Sequence, residues 1–255
     1  MAAMGGLLEG RIVLVTGAAR GVGRAIARAC AAAGAALVLA DILEEAGAAT
    51  TAELVAAGAR ARFVAVDLAD PSSVAALGAD IAAQEGRLHG LVNNAAIATN
   101  VGGALFSDIP IELWDRVMTV NVRGTWLVTR AALPLLEKGG AGRIVNLASD
   151  TALWGPPRLL AYVTSKGAVI SMTRSMAREL GPKGIGVVAM APGIMRNEAT
   201  DYVPAERHAE YERGRAVPGP QFPEDIVDVA TFLLTPGALA LTGQVLPVDA
   251  GFWFP

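Results

Sequence analysis

The sequence predicts a doubly wound three-layer α/β/α sandwich built on a seven-stranded parallel sheet. Three observations point there. Short β-branched apolar runs recur along the chain, longer helical segments separate them, and a glycine-rich turn joins the first run to the first helix. The 255 residues contain no Gly/Ser-rich or Pro-rich linker, so residues 1–255 are read as one domain.

The first strand is Ile12 to Thr16, and the Ala-rich helix that follows covers Val22 to Ala33. Leu37 to Asp41 forms the second strand, with a helix after it through Leu54. Phe63 to Asp67, Leu91 to Asn93, Ile144 to Ala148, Val187 to Met190 and Gln244 to Val248 supply the remaining five, with helices between them. The one long irregular stretch runs from Pro192 to Pro223, after a strand and at the carboxyl edge of the sheet, where such folds bind ligands. Within it Pro204 to Gly214 carries Glu206, Arg207, Glu210, Glu212 and Arg213, which suits a short exposed helix: either a solvated surface or a lid over a substrate pocket.

Composition narrows the function. With 53% hydrophobic residues the chain can bury a substantial core, and 21 Lys+Arg against 24 Asp+Glu give a net charge of −3, which offers no basis for binding a phosphate backbone. The apolar run Ala29 to Ala40, closed by Arg28 and Asp41, is too short to span a bilayer. The opening MAAMGGLLEG lacks the basic and apolar regions of a secretory signal, so a cytoplasmic protein is expected. Cys30 is the single cysteine and is read as packing. His89 and His208 have no metal-ligand partners in the sequence, and no metal site is expected.

Thr16-Gly17-Ala18-Ala19-Arg20-Gly21-Val22-Gly23 stands between the first strand and the first helix. Glycines allow a tight turn and a close approach of phosphate oxygens, and the helix N-terminus offers unpaired N–H groups to a pyrophosphate. Asp41 follows Gly17 by 24 residues at the end of the second strand, the spacing of a ribose-binding carboxylate. Together these features predict a Rossmann-type dinucleotide site.

The glycine spacing resembles that of the short-chain dehydrogenase/reductases, and the resemblance extends over nearly the whole chain. Asn93-Asn94-Ala95-Ala96 is similar to the family's Asn-Asn-Ala-Gly segment, with Ala96 in place of the usual glycine. The resemblance implies that Asn93 and Ala95 line the cofactor and steady the sheet. It also implies that Asp67, beside Leu68, meets the adenine ring, although a turn-capping Asp67 is an alternative reading. Pro192-Gly193-Ile194 resembles the segment beside the nicotinamide carboxamide, and Asn197 stands where the family usually has Thr. Asp41 favours NAD by accepting from ribose hydroxyls and repelling a 2′-phosphate, whereas Arg20 could pair with that phosphate; Ile42 supplies no further cation, and NAD is the expected cofactor.

Tyr162-Val163-Thr164-Ser165-Lys166 opens a helix that continues to Leu180, and the i, i+4 spacing puts phenol and ammonium on one face. A free phenol titrates near pH 10, too high for a base at neutrality, so a neighbouring cation that favours the phenolate has a chemical purpose. Ser149 precedes Tyr162 by 13 residues, the interval of the family, which implies that its hydroxyl holds the substrate oxygen; a strand-end cap is the plainer alternative. Asn121 looks like the fourth catalytic member, which in the family interrupts a helix and holds a water linked to the lysine. Packing is again the alternative. The implied reaction is hydride transfer between a nicotinamide and a secondary alcohol or ketone, with Tyr162 as general acid and base. A 3-oxoacyl thioester reductase using NADPH, and a non-redox member of the family, are the rival readings.

Pocket candidates by position are Ile97, Leu153, Trp154, Met195, Asn197 and Tyr202, with Thr99, Asn100, Asp150 and Arg158 as further contacts. They do not choose between an apolar carbonyl compound and a sugar or polyol. The carboxyl end places Phe252, Trp253 and Phe254 before Pro255, and such a cluster predicts a homotetramer with the tail near a subunit contact; a tail packed on its own subunit is the alternative.

Overall fold

The structure, a computed structural model, describes residues 6–254. Residues 1–5 of the opening segment and Pro255 of the aromatic tail lie outside the described residues. Seven parallel strands form one sheet: β1 (Ile12–Thr16), β2 (Ala36–Asp41), β3 (Ala61–Ala65), β4 (Gly90–Asn93), β5 (Arg143–Leu147), β6 (Gly186–Pro192) and β7 (Val245–Val248), in the order β3-β2-β1-β4-β5-β6-β7. The helices are α1 (Gly21–Ala32), α2 (Glu44–Ala56), α3 (Pro71–Gln84), α4 (Ile111–Met118), α5 (Thr125–Gly139), α6 (Thr151–Trp154), α7 (Leu160–Leu180), α8 (Ala205–Gly214) and α9 (Val227–Leu233).

Strand alternation divides the core between the two faces of the sheet. Val13, Val15, Leu37, Leu39, Val92, Val145, Val188 and Met190 pack with Ile26, Cys30 and Leu233 on one side. Ile12, Leu14, Val38, Leu91, Ile144 and Val187 pack with Leu77, Ile81, Val128 and Leu136 on the other. Both sets are buried, so the central strands are apolar on both faces except at Thr16, Asn93, Arg143 and Asn146, which are buried and hydrogen-bonded. The direction of winding reverses between β1 and β4, and the crevice there opens at the carboxyl ends of the strands.

Element boundaries depart from the sequence expectation in ways that pairing explains. The third strand ends at Ala65 rather than Asp67, because its partner β2 stops at Asp41, opposite Ala65. Asp67 is already in the following turn, its N–H donated to Ser73 Oγ at 3.0 Å. β6 extends through Pro192, held by pairing of Pro192 with Val248 of β7. α7 starts two residues before Tyr162, so phenol and ammonium both sit inside the helix. α8 lies where expected but is not an exposed helix throughout: His208 and Tyr211 face inward, and Tyr211 is 2% exposed. Cys30 is fully buried and burial pushes its thiol up to about 12, consistent with packing.

Candidate active site

The turn between β1 and α1 is built around glycine. Gly17 has φ +65°, and a Cβ there would come within 2.7 Å of the Ala95 Cα and 2.8 Å of Asn94 Nδ2. A Cβ on Gly23 would collide with the Gly17 carbonyl oxygen, which is why α1 can start so close beneath the strand end. Gly21 and Val22 form the first turn of α1; its cap residue Arg20 is exposed and extended and makes no side-chain cap bond, and no acidic residue lies within the turn. The amide end of α1 is thus left to meet an anion. Glu198 faces this end, paired with Arg24 at 2.9 Å.

Asp41, 8% exposed, accepts from the Ala19 N–H at 2.9 Å and the Leu43 N–H at 3.0 Å, which ties the end of β2 to the glycine turn. Asn94 was not singled out in the sequence, yet it fastens the crevice. Its Nδ2 donates to the carbonyls of Thr16 and Gly17, both at 3.0 Å, while its own N–H and that of Ala95 donate to Thr16 Oγ1. Asn93 instead points into the sheet, donating to Asn146 Oδ1 at 2.8 Å and Thr129 Oγ1 at 3.0 Å. Asp67 accepts from the Ala69 N–H at 2.8 Å, a local turn bond, and Leu68 is buried beside it. On the far side of the crevice Pro192 accepts from the Asp150 N–H, the Ile194 carbonyl accepts from Arg215, and Gly193 lies against Asp150 and Asp249. Gly17 and Gly23 without room for a Cβ, a helix amide end that its own cap residue leaves free and a carboxylate one strand away fit a dinucleotide.

Beyond the cradle, β5 delivers Ser149 just past its carboxyl end and α7 presents Tyr162 and Lys166. The Lys166 Nζ donates to the Leu147 carbonyl at 2.7 Å and sits 5.7 Å from the centre of the Tyr162 ring. Burial lowers the ammonium to about 8. The Tyr162 phenol is pushed up, first by burial and further by the charge of Asp150 and the nearby Tyr202, while the Ser149 hydroxyl draws it down. Desolvation is the largest influence on the phenol and raises it, where the sequence alone leads one to expect the ammonium to lower it; the ammonium stands over the ring as the positive charge available to oppose that rise.

Asn121 occupies a π-helical turn, Thr119–Gly124, between α4 and α5. π-bulges of this kind recur at functional sites. Its Oδ1 accepts from the Ile97 N–H at 2.8 Å, and its Nδ2 donates to the Ile97 carbonyl at 3.1 Å and to Ser165 Oγ at 3.0 Å. Asn121 therefore locks the irregular segment following β4 onto α7, one residue before Lys166.

The six pocket candidates separate. Ile97 packs against the same Val101, Val117 and Ala161 cluster as Tyr162, and Tyr202, close to the phenol, reaches across to donate to the Ala98 carbonyl at 2.7 Å. Trp154 stacks edge-on against Tyr211 and tilts on Phe252. Met195 is a core residue, 7% exposed, among Ile26 and Ile226. Leu153 lines a different cleft of about 690 Å³, with Arg174, Arg178, Thr242 and Trp253. Asn197 lies beside Gly21, its Oδ1 accepting from the Ala199 N–H. Of the carboxyl tail, Phe252 stacks on Tyr211 at 4.1 Å within its own chain, while Phe254 is 71% exposed. Among the described residues no helix is long and apolar enough to cross a membrane.

Residues 17–253 match the family model described as Enoyl-(Acyl carrier protein) reductase. The chain is 37% identical over 248 residues to the 3-alpha-(or 20-beta)-hydroxysteroid dehydrogenase of Mycobacterium bovis, covering 97% of this chain and 91% of the relative. The fold superposes on a short-chain type dehydrogenase/reductase from Mycobacterium ulcerans with a TM-score of 0.90 at 30% identity, covering 96% of this chain and 90% of that one. A chain from Beutenbergia cavernae solved with NADP bound at low occupancy gives a TM-score of 0.90 at 36% identity, with 97% and 99% covered. With the glycine cradle, Ser149, Tyr162 and Lys166 in place on this fold, the chain belongs to the short-chain dehydrogenase/reductase family, oxidoreductases that interconvert alcohols and carbonyl compounds.

Proposed function

We propose that this protein oxidises a secondary alcohol and reduces the corresponding ketone, with NAD preferred over NADP and Tyr162 moving the proton. The observation that carries the reading is the placement of Tyr162 and Lys166 on one face of α7 opposite Ser149. Gly17, Arg20, Gly21, Val22 and Gly23 would hold the pyrophosphate, Asp41 the adenosine ribose, Asp67 and Leu68 the adenine, and Ala95, Pro192, Gly193 and Ile194 the nicotinamide half, while the side chain of Asn93 steadies the sheet beneath the cofactor. When bound, the nicotinamide supplies or accepts the hydride.

Ser149 orients the substrate oxygen by hydrogen bonding. Tyr162 removes the hydroxyl proton in oxidation and returns it to the carbonyl oxygen in reduction. Lys166 holds a positive charge 5.7 Å from the centre of the phenol ring, and such a charge favours the phenolate against the burial that opposes it. Asn121 keeps the Ile97 segment and α7 in register. Ile97, Trp154 and Tyr202 form the substrate walls, with residues 192–223 as the covering segment of a single domain. Preference for NAD is supported by the carboxylate of Asp41 at the end of β2 and by the apolar Ile42 after it, which would leave a 2′-phosphate next to a negative charge. The reading extends to a cytoplasmic homotetramer.

The test is a panel of cyclohexanol, sorbitol, gluconate and a 20β-hydroxysteroid, each with NAD and with NADP. Reduction of NAD with at least one alcohol supports the reading. Turnover confined to NADP would make Arg20 the deciding residue and favour the 3-oxoacyl thioester reductase; no turnover with any alcohol, or with the matching ketones, would contradict it.

A further inference from the structure

Immediately after Ser149 the chain buries a carboxylate that the proposed chemistry does not use. Asp150 is 0% exposed. Its Oδ1 receives two long bonds, from the Ser149 hydroxyl and from the Tyr211 hydroxyl, both at 3.3 Å, and its Oδ2 has no hydrogen-bond partner among the described residues. The contrast with Asp249 is sharp: that carboxylate accepts three backbone N–H bonds, from Gly251, Phe252 and Trp253, at 3.0–3.2 Å. A buried carboxylate so thinly compensated favours its neutral form.

The groups facing Asp150 come from several elements. Ser149 and Thr151 are its chain neighbours, Tyr162 faces it from α7, Tyr211 from α8, Arg215 from the end of α8, and Asp249 from the end of β7. Burial, and after it the charge of Asp249, raises the Asp150 carboxyl to about 7, against the lowering effect of its hydrogen bonds.

Ser149 has one proton to give. Thr151 already donates to its oxygen, at 2.9 Å from Oγ1 and 3.3 Å from N, so the free choice left to the hydroxyl is where its own proton points. We propose that Asp150 is a positioning residue for the hydride transfer: ionised, it holds the Ser149 proton away from the substrate, and neutral, it releases that proton to the oxygen of a bound ketone. The inference rests on the reading of Ser149 and Tyr162 as the reacting pair. The same charge disfavours the Tyr162 phenolate, so ionised Asp150 works against both partners of the substrate oxygen. The relay also reaches the covering segment, because Trp154 Nε1 donates to Tyr211 Oη at 3.2 Å and Tyr211 stacks on Phe252.

Two measurements test this. In the protein alone, tryptophan emission followed from pH 5.5 to 9 shows a transition near neutrality that Asp150→Asn lacks, and Tyr211→Phe, which removes a bond to the ionised form, moves that transition upward. In steady-state kinetics with the ketone turned over in the panel above, the wild-type KM rises severalfold between pH 6 and pH 8, whereas Asp150→Asn keeps the low-pH value throughout; for the alcohol, the acid limb of kcat/KM shifts to lower pH in the variant. An emission transition unchanged by Asp150→Asn, or a ketone KM with the same pH dependence in both proteins, overturns the proposal. Ser149→Ala separates the two levels: if it retains full turnover the reading of the reaction fails, and if it abolishes turnover while Asp150→Asn leaves the pH profile intact, only the role of Asp150 fails.

Discussion

Lys166 and Tyr162 are one helical turn apart on α7, and the ammonium that stands 5.7 Å from the phenol ring is anchored to the carbonyl of Leu147 at 2.7 Å. The strand that delivers Ser149 thereby also fixes the lysine. Sheet and helix meet at the reacting groups, and the position of the charge is set by backbone, not by a flexible surface side chain.

That anchorage has a measurable consequence for stability. A lysine ordinarily titrates near 10.5, and burial brings Lys166 down to about 8. Between those values the unfolded chain binds more protons than the folded one, so wild-type stability rises with pH in that window and the burial penalty is fully felt below it. Lys166→Met removes this dependence. Urea unfolding at pH 7 and pH 9.5 should show a gain for wild type relative to the variant on the order of 2 kcal/mol.

Asp150 has the opposite sign. Its folded-state pKa is raised from 3.8 to about 7, so the stabilisation is complete below the unfolded value and is lost as pH rises through 7. Relative to Asp150→Asn, the wild-type protein should lose on the order of 3 kcal/mol between pH 5 and pH 8. Thermal unfolding of the two proteins at those pH values checks it; a constant difference would mean that Asp150 stays in one charge state throughout.

Asn94→Ala strips the donors from the carbonyls of Thr16 and Gly17 beneath the cofactor crevice. The expected cost is about 1–3 kcal/mol of stability, with the crevice loosened where β1 meets β4. Isothermal titration with NADH reads the second effect as a weaker Kd, while Asn94→Asp, which keeps the acceptor and loses both donors, should weaken binding similarly.

Cofactor choice is a matter of charge at the end of β2. Replacing Asp41 by Ser and Ile42 by Arg exchanges a carboxylate for a hydroxyl and adds a cation, and the ratio of kcat/KM values for NAD over NADP should fall by at least about tenfold. Measured KM values for both cofactors in the double variant check this. Since Asp41 also holds the Ala19 and Leu43 N–H groups, a modest loss of stability accompanies the switch.

The sheet was legible in the sequence because buried parallel strands are apolar on both faces, and the glycine turn, Ser149, Tyr162 and Lys166 were legible because their spacing is local. Properties fixed by distant chain segments were not. Asn94 contacts residues 77 and 78 positions away, and only the adjacency of β1 and β4 gives those bonds meaning. Met195 reads as a pocket residue beside the Pro192 segment, but the chain turns it under α1 into the core. The charge-rich composition of α8 hides Tyr211, whose burial follows from Trp154 and Phe252 arriving from two other parts of the chain. The titration of Tyr162 depends on its desolvation, which spacing on a helix does not express.

The central claim is that Tyr162 moves the proton, beside the contact with the cofactor that the family resemblance implies for Tyr162 and for Lys166 at the ribose. Tyr162→Phe, measured with the best substrate of the panel, should lower kcat by at least about a thousandfold while NADH fluorescence titration gives a Kd within about twofold of wild type. Retention of turnover in this variant with unchanged cofactor affinity would contradict the account.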